Sequence, residues 1–199
     1  MTIVQAPVQD RASAARRAMI DSQLRVSGVN DPAVLGAMEQ VAREEFVPAA
    51  QRELAYIDRA IPLGDGHALP APLFHGLALT EAAIRPGEAV LVVSATGYLA
   101  ALATALGATV STALPAEAAV AKAGGSYTLI LVDGAIEQLP DGLAAQLAEG
   151  GRIVTGSVER GVTRLAVGTR AGGAVALLPL IEIGIPVLAE FAAPKRWSF

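Results

Sequence analysis

The stretch AVLVVSATGYLAALATALGATV, residues 89–110, decides how this chain is read. Glu88 to Ala95 forms an apolar run that predicts a buried strand. Gly97 to Leu106 predicts a helix and Ala108 to Leu114 a second strand. A strand, a tight turn and a helix in that order form the layout on which open α/β sheets bind nucleotide cofactors. The turn, Ser94 to Tyr98, holds a single glycine, Gly97. Backbone that must pass close to a ligand calls for more than that.

The same alternation continues on both sides of this stretch. Ser126 to Ala135 reads as a third strand, Leu139 to Gly151 as a helix closed by a glycine pair, and Arg152 to Val158 as a fourth strand. Gly76 to Ile84 reads as a helix in front of the first strand. Strands alternating with helices predict an α/β fold with a mostly parallel, doubly wound sheet. The tail from Val162 to Leu188 turns at Arg170 to Gly173, which predicts an antiparallel hairpin closing one sheet edge. Before the sheet, Ser13 to Gly28 predicts a helix with apolar Ala14, Ala18 and Leu24 and a glycine C-cap. Asp31 and Pro32 open a second helix. Arg43 to Gly76 is rich in Pro and Gly and reads as loop with short helical turns.

Composition bounds the function. The 199 residues, 53% hydrophobic and 17% charged, suit one domain with a generous core. We divide it into N-terminal helices and a substrate-side loop, 13–76, and a Rossmann-like core, 77–199. A net charge of −4 gives no electrostatic reason to expect nucleic acid or an anionic membrane as partner. Cysteine is absent, which removes thiolate chemistry and Cys-ligated metal. The amino terminus makes a poor signal peptide and no apolar run reaches membrane-spanning length, so a cytoplasmic location is expected.

Five segments carry a family resemblance in matching order over nearly the whole chain. They are AMIDSQLRVSGVNDPAVLGAMEQVAREEFVP (18–48), LAYIDRAIPLGDGHAL (54–69), VLVVSATGYLAALA (90–103), YTLILVDGAIEQLP (127–140) and AAQLAEGGRIV (144–154). Together they resemble protein-L-isoaspartate O-methyltransferase. The resemblance implies a Rossmann-like S-adenosylmethionine methyltransferase fold with added N-terminal helices and a C-terminal antiparallel strand. It also implies a protein-repair activity, methyl transfer to isoaspartyl carboxylates of damaged proteins, with a protein or peptide as substrate.

The departures from the family pattern fall where that chemistry belongs. The family's turn has the form G-x-G-x-G-Y after an acidic residue in the strand. Here Val92 stands at the acid's position, the turn is one residue shorter, and only Gly97 and Tyr98 keep register. A side chain at the other glycine positions fills the space a ligand needs. The family's second strand ends in a glutamate that binds the ribose hydroxyls. This chain has Thr112 and Ala113 there, with Glu117 arriving only after Pro115 has opened the next helix. A family helix and strand are missing between Pro115 and Tyr127, which predicts a narrower sheet with an open side where adenine would sit. In the substrate loop, Ala68 and Pro70 occupy the family's hydroxyl positions.

Candidate site residues follow. Ser94, Thr96, Gly97, Tyr98 and Asp133 are the cofactor-binding candidates. Asp133 ends an apolar strand at the carboxyl edge where ligands bind, though Asp-Gly is also a common turn pair. Ser94 and Thr96 could donate to an anion at a helix start or steady the turn. Asp58 and Asp133 are the catalytic candidates, with Asp58 equally suited to capping a turn or pairing with Arg59. His67 and His75 read as hydrogen-bonded structural histidines, too isolated for metal. Arg16 and Arg17 read as a solvated helix face. Trp197 and Phe199 invite a packing role.

Two functions remain open on the sequence. One is a carboxyl methyltransferase with a divergent pocket and S-adenosylmethionine as cofactor. The other keeps the fold without the cofactor and serves as a binding or assembly protein, as a homodimer covering the missing strand's edge.

Overall fold

Asp31 opens its helix as its position implies: Oδ1 accepts from the amides of Ala33 and Val34, with Pro32 in the first turn. This is α2 (Pro32–Gln40). The structure, a computed structural model, describes residues 8–121 and 126–193. Trp197 and Phe199 lie outside the described residues. The first helix, α1 (Val8–Met19), starts earlier than the sequence suggests and runs on through a π turn, Ile20–Leu24, and a 3-10 turn, Arg25–Ser27. It ends at left-handed Gly28, the expected cap. Its inward residues are Met19, Ile20 and Leu24, whereas Ala14 and Ala18 face solvent.

After two 3-10 turns, a two-stranded clip pairs β1 (Ile61–Pro62) with β2 (Ala68–Leu69). The helix α3 (Pro72–Ala82) begins four residues before the expected start, because Pro72 supplies a preset first turn. His75 therefore rides on a helix and not in the proline-rich loop.

The main sheet holds β3 (Ala89–Val93), β4 (Thr109–Ala113), β5 (Tyr127–Ile136), β6 (Leu147–Glu159), β7 (Val162–Ala171) and β8 (Ala174–Glu182), in the order β4-β3-β5-β6-β7-β8. The first four strands are parallel. The connecting helices are α4 (Tyr98–Ala105), α5 (Pro115–Ala119) and α6 (Asp141–Ala144). The expected hairpin turns at Gly172 and Gly173, and β6 also pairs antiparallel with β7, so the sheet ends in a three-strand meander. The last strand, β8, has an apolar edge interrupted by Pro179 and a register shift.

Two expectations are corrected. The helix read from Leu139 to Gly151 lasts one turn. Tyr127 donates its amide to Gln146, Gly150 turns at φ 74°, and the chain enters β6 at Leu147. The sheet is narrow, with β4 at its edge and Ser111 and Thr112 exposed there as expected, but the sheet face beside α5 is covered and not open. Leu188 and Phe191 from the C-terminal segment share an apolar cluster with Leu91, Val93, Val132 and Ala118. The other cluster joins α1, α2 and α3 to the opposite face of the sheet through Leu24, Met38, Phe74, Val92, Leu102 and Leu131. No helix among the described residues is long and apolar enough to cross a membrane.

Candidate functional site

The apolar strand β5 carries one charge to its carboxyl end, Asp133, whose side chain is 1% exposed. A buried carboxylate survives only if its oxygens are satisfied, and here three groups do so. Ser94 Oγ donates to Oδ2 at 2.7 Å, Thr96 Oγ1 stands 3.3 Å from the same oxygen, and His75 Nε2 lies 2.8 Å from Oδ1. The turn after β3 is thus folded onto Asp133. Its own amides are also occupied: Thr96 and Gly97 N–H donate to Ser94 Oγ at 3.1 and 3.2 Å, and Tyr98 N–H donates to Thr96 Oγ1 at 3.2 Å. Gly97 alone meets the φ of 79° that aims α4.

Behind His75 stands a fully buried arginine. Arg43 Nη1 lies 3.2 Å from His75 Nδ1, Nε donates to the Ala55 carbonyl at 2.6 Å, and Nη2 donates to the Pro70 carbonyl. A guanidinium only donates, so Nδ1 accepts and the imidazole proton sits on Nε2, facing Asp133. Burial drives the His75 pKa below its ordinary value. Burial opposes the Asp133 charge, but the imidazole, the Ser94 hydroxyl and the Arg43 charge outweigh it and hold its pKa below the usual carboxylate range. The result is a buried ion pair relayed through a neutral imidazole. Tyr98 closes it from the side, with the Arg43 guanidinium 5.1 Å from its ring centre and the His75 ring edge-on at 5.1 Å. Its hydroxyl has no partner among the described residues, and burial pushes its pKa up to about 12.

The structure therefore brings together all five predicted cofactor residues, Ser94, Thr96, Gly97, Tyr98 and Asp133. The hydroxyls do meet an anion, and it is the chain's own Asp133. His75 is hydrogen-bonded, as expected, and so is His67, through Glu190 at 2.7 Å. Asp58 stands apart. It is exposed, forms no ion pair with Arg59 among the described residues, and borders an open groove of about 560 Å³ with Ala68, Ala71, Phe74, Ile183 and Ile185. Glu117 Oε2 accepts from the Leu114 amide at 2.9 Å, so it caps its own helix. Arg17 is exposed, but Arg16 is no solvated residue. Its Nε donates to the Tyr56 hydroxyl at 2.7 Å, Nη1 donates to the Glu39 carbonyl, and Nη2 pairs with Glu44 at 3.2 Å. Among the described residues no cluster of His, Asp or Glu is placed to hold a metal ion. Arg43, the centre of the buried chain, escaped the sequence reading. Its sole signal was an arginine between the apolar Val41 and Phe46, a pattern shared with many exposed positions.

The family model for protein-L-isoaspartate(D-aspartate) O-methyltransferase matches residues 14–120. The chain belongs to that family. A protein-L-isoaspartate O-methyltransferase of Methylorubrum populi is 34% identical over 204 residues, covering 85% of this chain and 96% of that one. Another, of Koribacter versatilis, is 38% identical over 165 residues, covering 70% and 74%. Among solved structures, a Plasmodium falciparum chain described as a protein-L-isoaspartate O-methyltransferase in complex with S-adenosyl-L-homocysteine superposes with a TM-score of 0.68. It is 19% identical, with 90% of this chain and 98% of that one covered. That likeness establishes the Rossmann-like methyltransferase fold. In this member of the protein-L-isoaspartate O-methyltransferase family, the β3–α4 turn is closed by the chain's own Asp133 carboxylate.

Proposed function

We propose that this family member has little or no methyltransferase activity and acts as a binding or assembly protein on the family's fold. The observation that carries the reading is the Asp133 carboxylate, which takes up both turn hydroxyls and the His75 proton. S-adenosylmethionine does not fit the residues present. Its ribose hydroxyls need an acceptor, and Glu117 is committed to its own helix. Its approach needs free amides, and those of Thr96, Gly97 and Tyr98 are bonded within the turn. Each lost charge-assisted hydrogen bond is worth roughly 1.5 to 3 kcal/mol, so two of them weaken a site by about two to four powers of ten. The His75 and Asp133 side chains are sealed from solvent, so neither can touch a substrate while the turn stays closed on them.

The second reading, an active carboxyl methyltransferase with a rebuilt pocket, is favoured by the 34% identity to the Methylorubrum protein. Under it Ser94, Thr96, Gly97, Tyr98 and Asp133 reorganise around S-adenosylmethionine, and Asp58 borders the groove for a protein or peptide substrate. Under the first reading the five-residue edge strand β4 is the place for a second copy to dock. A cytoplasmic setting suits both.

Calorimetric titration with S-adenosylmethionine and S-adenosylhomocysteine separates them. The first reading expects no binding tighter than about 1 mM and no methylation of an isoaspartyl peptide. A micromolar Kd with methyl transfer overturns it.

A further inference from the structure

The C-terminal segment after β8 does not leave the molecule. It returns to β5. Ala135 N–H donates to the Pro186 carbonyl at 2.8 Å, Leu188 N–H donates to the Ala135 carbonyl at 2.9 Å, and Val187 bridges Ala135 in parallel. Successive residues of a strand aim their amides at opposite edges. Ala135 spends both of its backbone groups on this segment, so its pairing with Gly156 of β6 must run through its neighbours on the other edge. The segment therefore lies on the edge of β5 that faces β3, in the lane that β3 leaves when it ends at Val93. That lane is the crevice at the carboxyl ends of the strands.

Two glycines make the seat. A Cβ on Gly134 would meet Leu188 at 2.7 Å, and one on Gly156 would meet Ala135 at 2.8 Å and Ile185 at 2.9 Å. Beyond the seat, the Phe191 carbonyl accepts from the amides of Glu137 and Gln138, and the Phe191 ring is buried. The far end is tied by one ion pair. His67 Nε2 lies 2.7 Å from Glu190 Oε1, and Nδ1 lies 3.4 Å from Asp65 Oδ1, both side chains of the His67–Glu190 pair being largely shielded. Among the described residues, Asp65 from its own loop and Glu190 from the segment are the charged groups that face His67.

We propose that Pro186–Phe191 is a releasable strap, seated in the lane past β3 and latched by His67 on Glu190, whose release uncovers the carboxyl ends of β3 and β5. The strap stands independently of whether the crevice binds a cofactor, since the contacts that seat it are made between its own residues, β5 and His67. The hydrogen bond to Glu190 raises the His67 pKa above its ordinary value, aided by Asp65 and opposed by partial burial. A raised value means that the latch's charge is present at low pH and is lost as pH rises through the folded-state titration. The neutral ring keeps a hydrogen bond to one carboxylate and loses the attraction to both.

Hydrogen exchange of the full chain, corrected for intrinsic rates, tests this. The amides of Ala135, Glu137, Gln138 and Leu188 report the strap, and those of Val92 and Leu131 report the core. In the wild type the four strap amides are expected to open together, faster than the core, and to lose protection as pH rises past the histidine titration. His67→Ala should speed their exchange by about ten- to a hundredfold at low pH, the effect of one charge-assisted contact, and flatten the pH dependence without moving the core. Glu190→Gln, which keeps the shape and removes the charge, should do the same and guards against a misfolded His67 variant. Equal strap protection in all three proteins at every pH, or strap exchange only with the core, overturns the proposal. Titration of S-adenosylhomocysteine reads the pocket separately.

Discussion

His75 on α3 and Asp133 at the end of β5 meet at 2.8 Å with neither side chain open to solvent. The bond ties the N-terminal helices to the sheet, and Arg43 behind it neutralises the carboxylate at one remove.

Removing the carboxylate should therefore be costly. Asp133→Ala leaves His75, Ser94 and Thr96 facing a void and strands the Arg43 charge. A loss of about 3 to 5 kcal/mol is expected, as for breaking a buried pair from one side. Urea unfolding measures it, and a loss below about 1 kcal/mol, the level of an ordinary substitution, would contradict the arrangement.

The proton on His75 has an assigned seat. Nitrogen-detected NMR should find a neutral imidazole protonated on Nε2 at neutral pH, with titration displaced below the ordinary histidine range because burial disfavours the charged ring. Arg43→Lys removes the fork that holds Nδ1 and two carbonyls, and should lower stability by about 2 to 4 kcal/mol. A charged His75 at pH 7 would show that the relay is drawn wrongly.

Glu88 sets an acid limit. Its carboxylate bonds Arg152 at 2.6 and 3.0 Å, and that hydrogen bond first, with the Arg85 amide and Thr128 assisting against burial, holds its pKa down to about 2. A depressed carboxylate stabilises above its unfolded value and loses that contribution as pH falls through the folded one. Wild type should thus exceed Glu88→Gln in stability at pH 6, with the gap closing between about pH 4.5 and pH 2. A gap that persists at pH 2 would sink this account.

Gly134→Ala should be tolerated poorly, although its backbone needs no positive φ. The added methyl meets Leu188 at 2.7 Å, and overpacking of this kind costs about 1 to 3 kcal/mol. Pairing it with Leu188→Ala should recover part of the loss. Additive losses in the double variant would mean that the two residues do not touch.

Much of the sheet was legible because its strands announce themselves. Leu129 to Val132 and Val90 to Val93 are apolar runs ended by polar residues, and period and length suffice to place them. The single turn of α6 was not legible, since Leu143 and Leu147 keep helical spacing and only the glycines 150 and 151 and the Tyr127 amide pull the chain into β6. The site was half legible. Ser94, Thr96 and Asp133 flank apolar strands and were named, but nothing local reveals that they bond to one another. Arg43 and His75 are 32 residues apart, and His75 and Asp133 are 58 apart. Pairings at that range are fixed by how helices pack on the sheet, which no local pattern encodes. The strap failed to register for the same reason: its seat is an absence of side chains at Gly134 and Gly156.

Pro179 bears on how this protein behaves in a crowded solution. The hairpin turn makes Ala174, Ala176 and Leu178 bond toward β7, so Val175, Leu177 and Pro179 aim their backbone outward. An incoming strand would find two amide donors and then a ring with none. An eight-residue run from Ala174 to Ile181 without a charge would otherwise template stacking into fibres. One imide nitrogen at the outer rim of the sheet helps keep the molecules from adding to one another end to end.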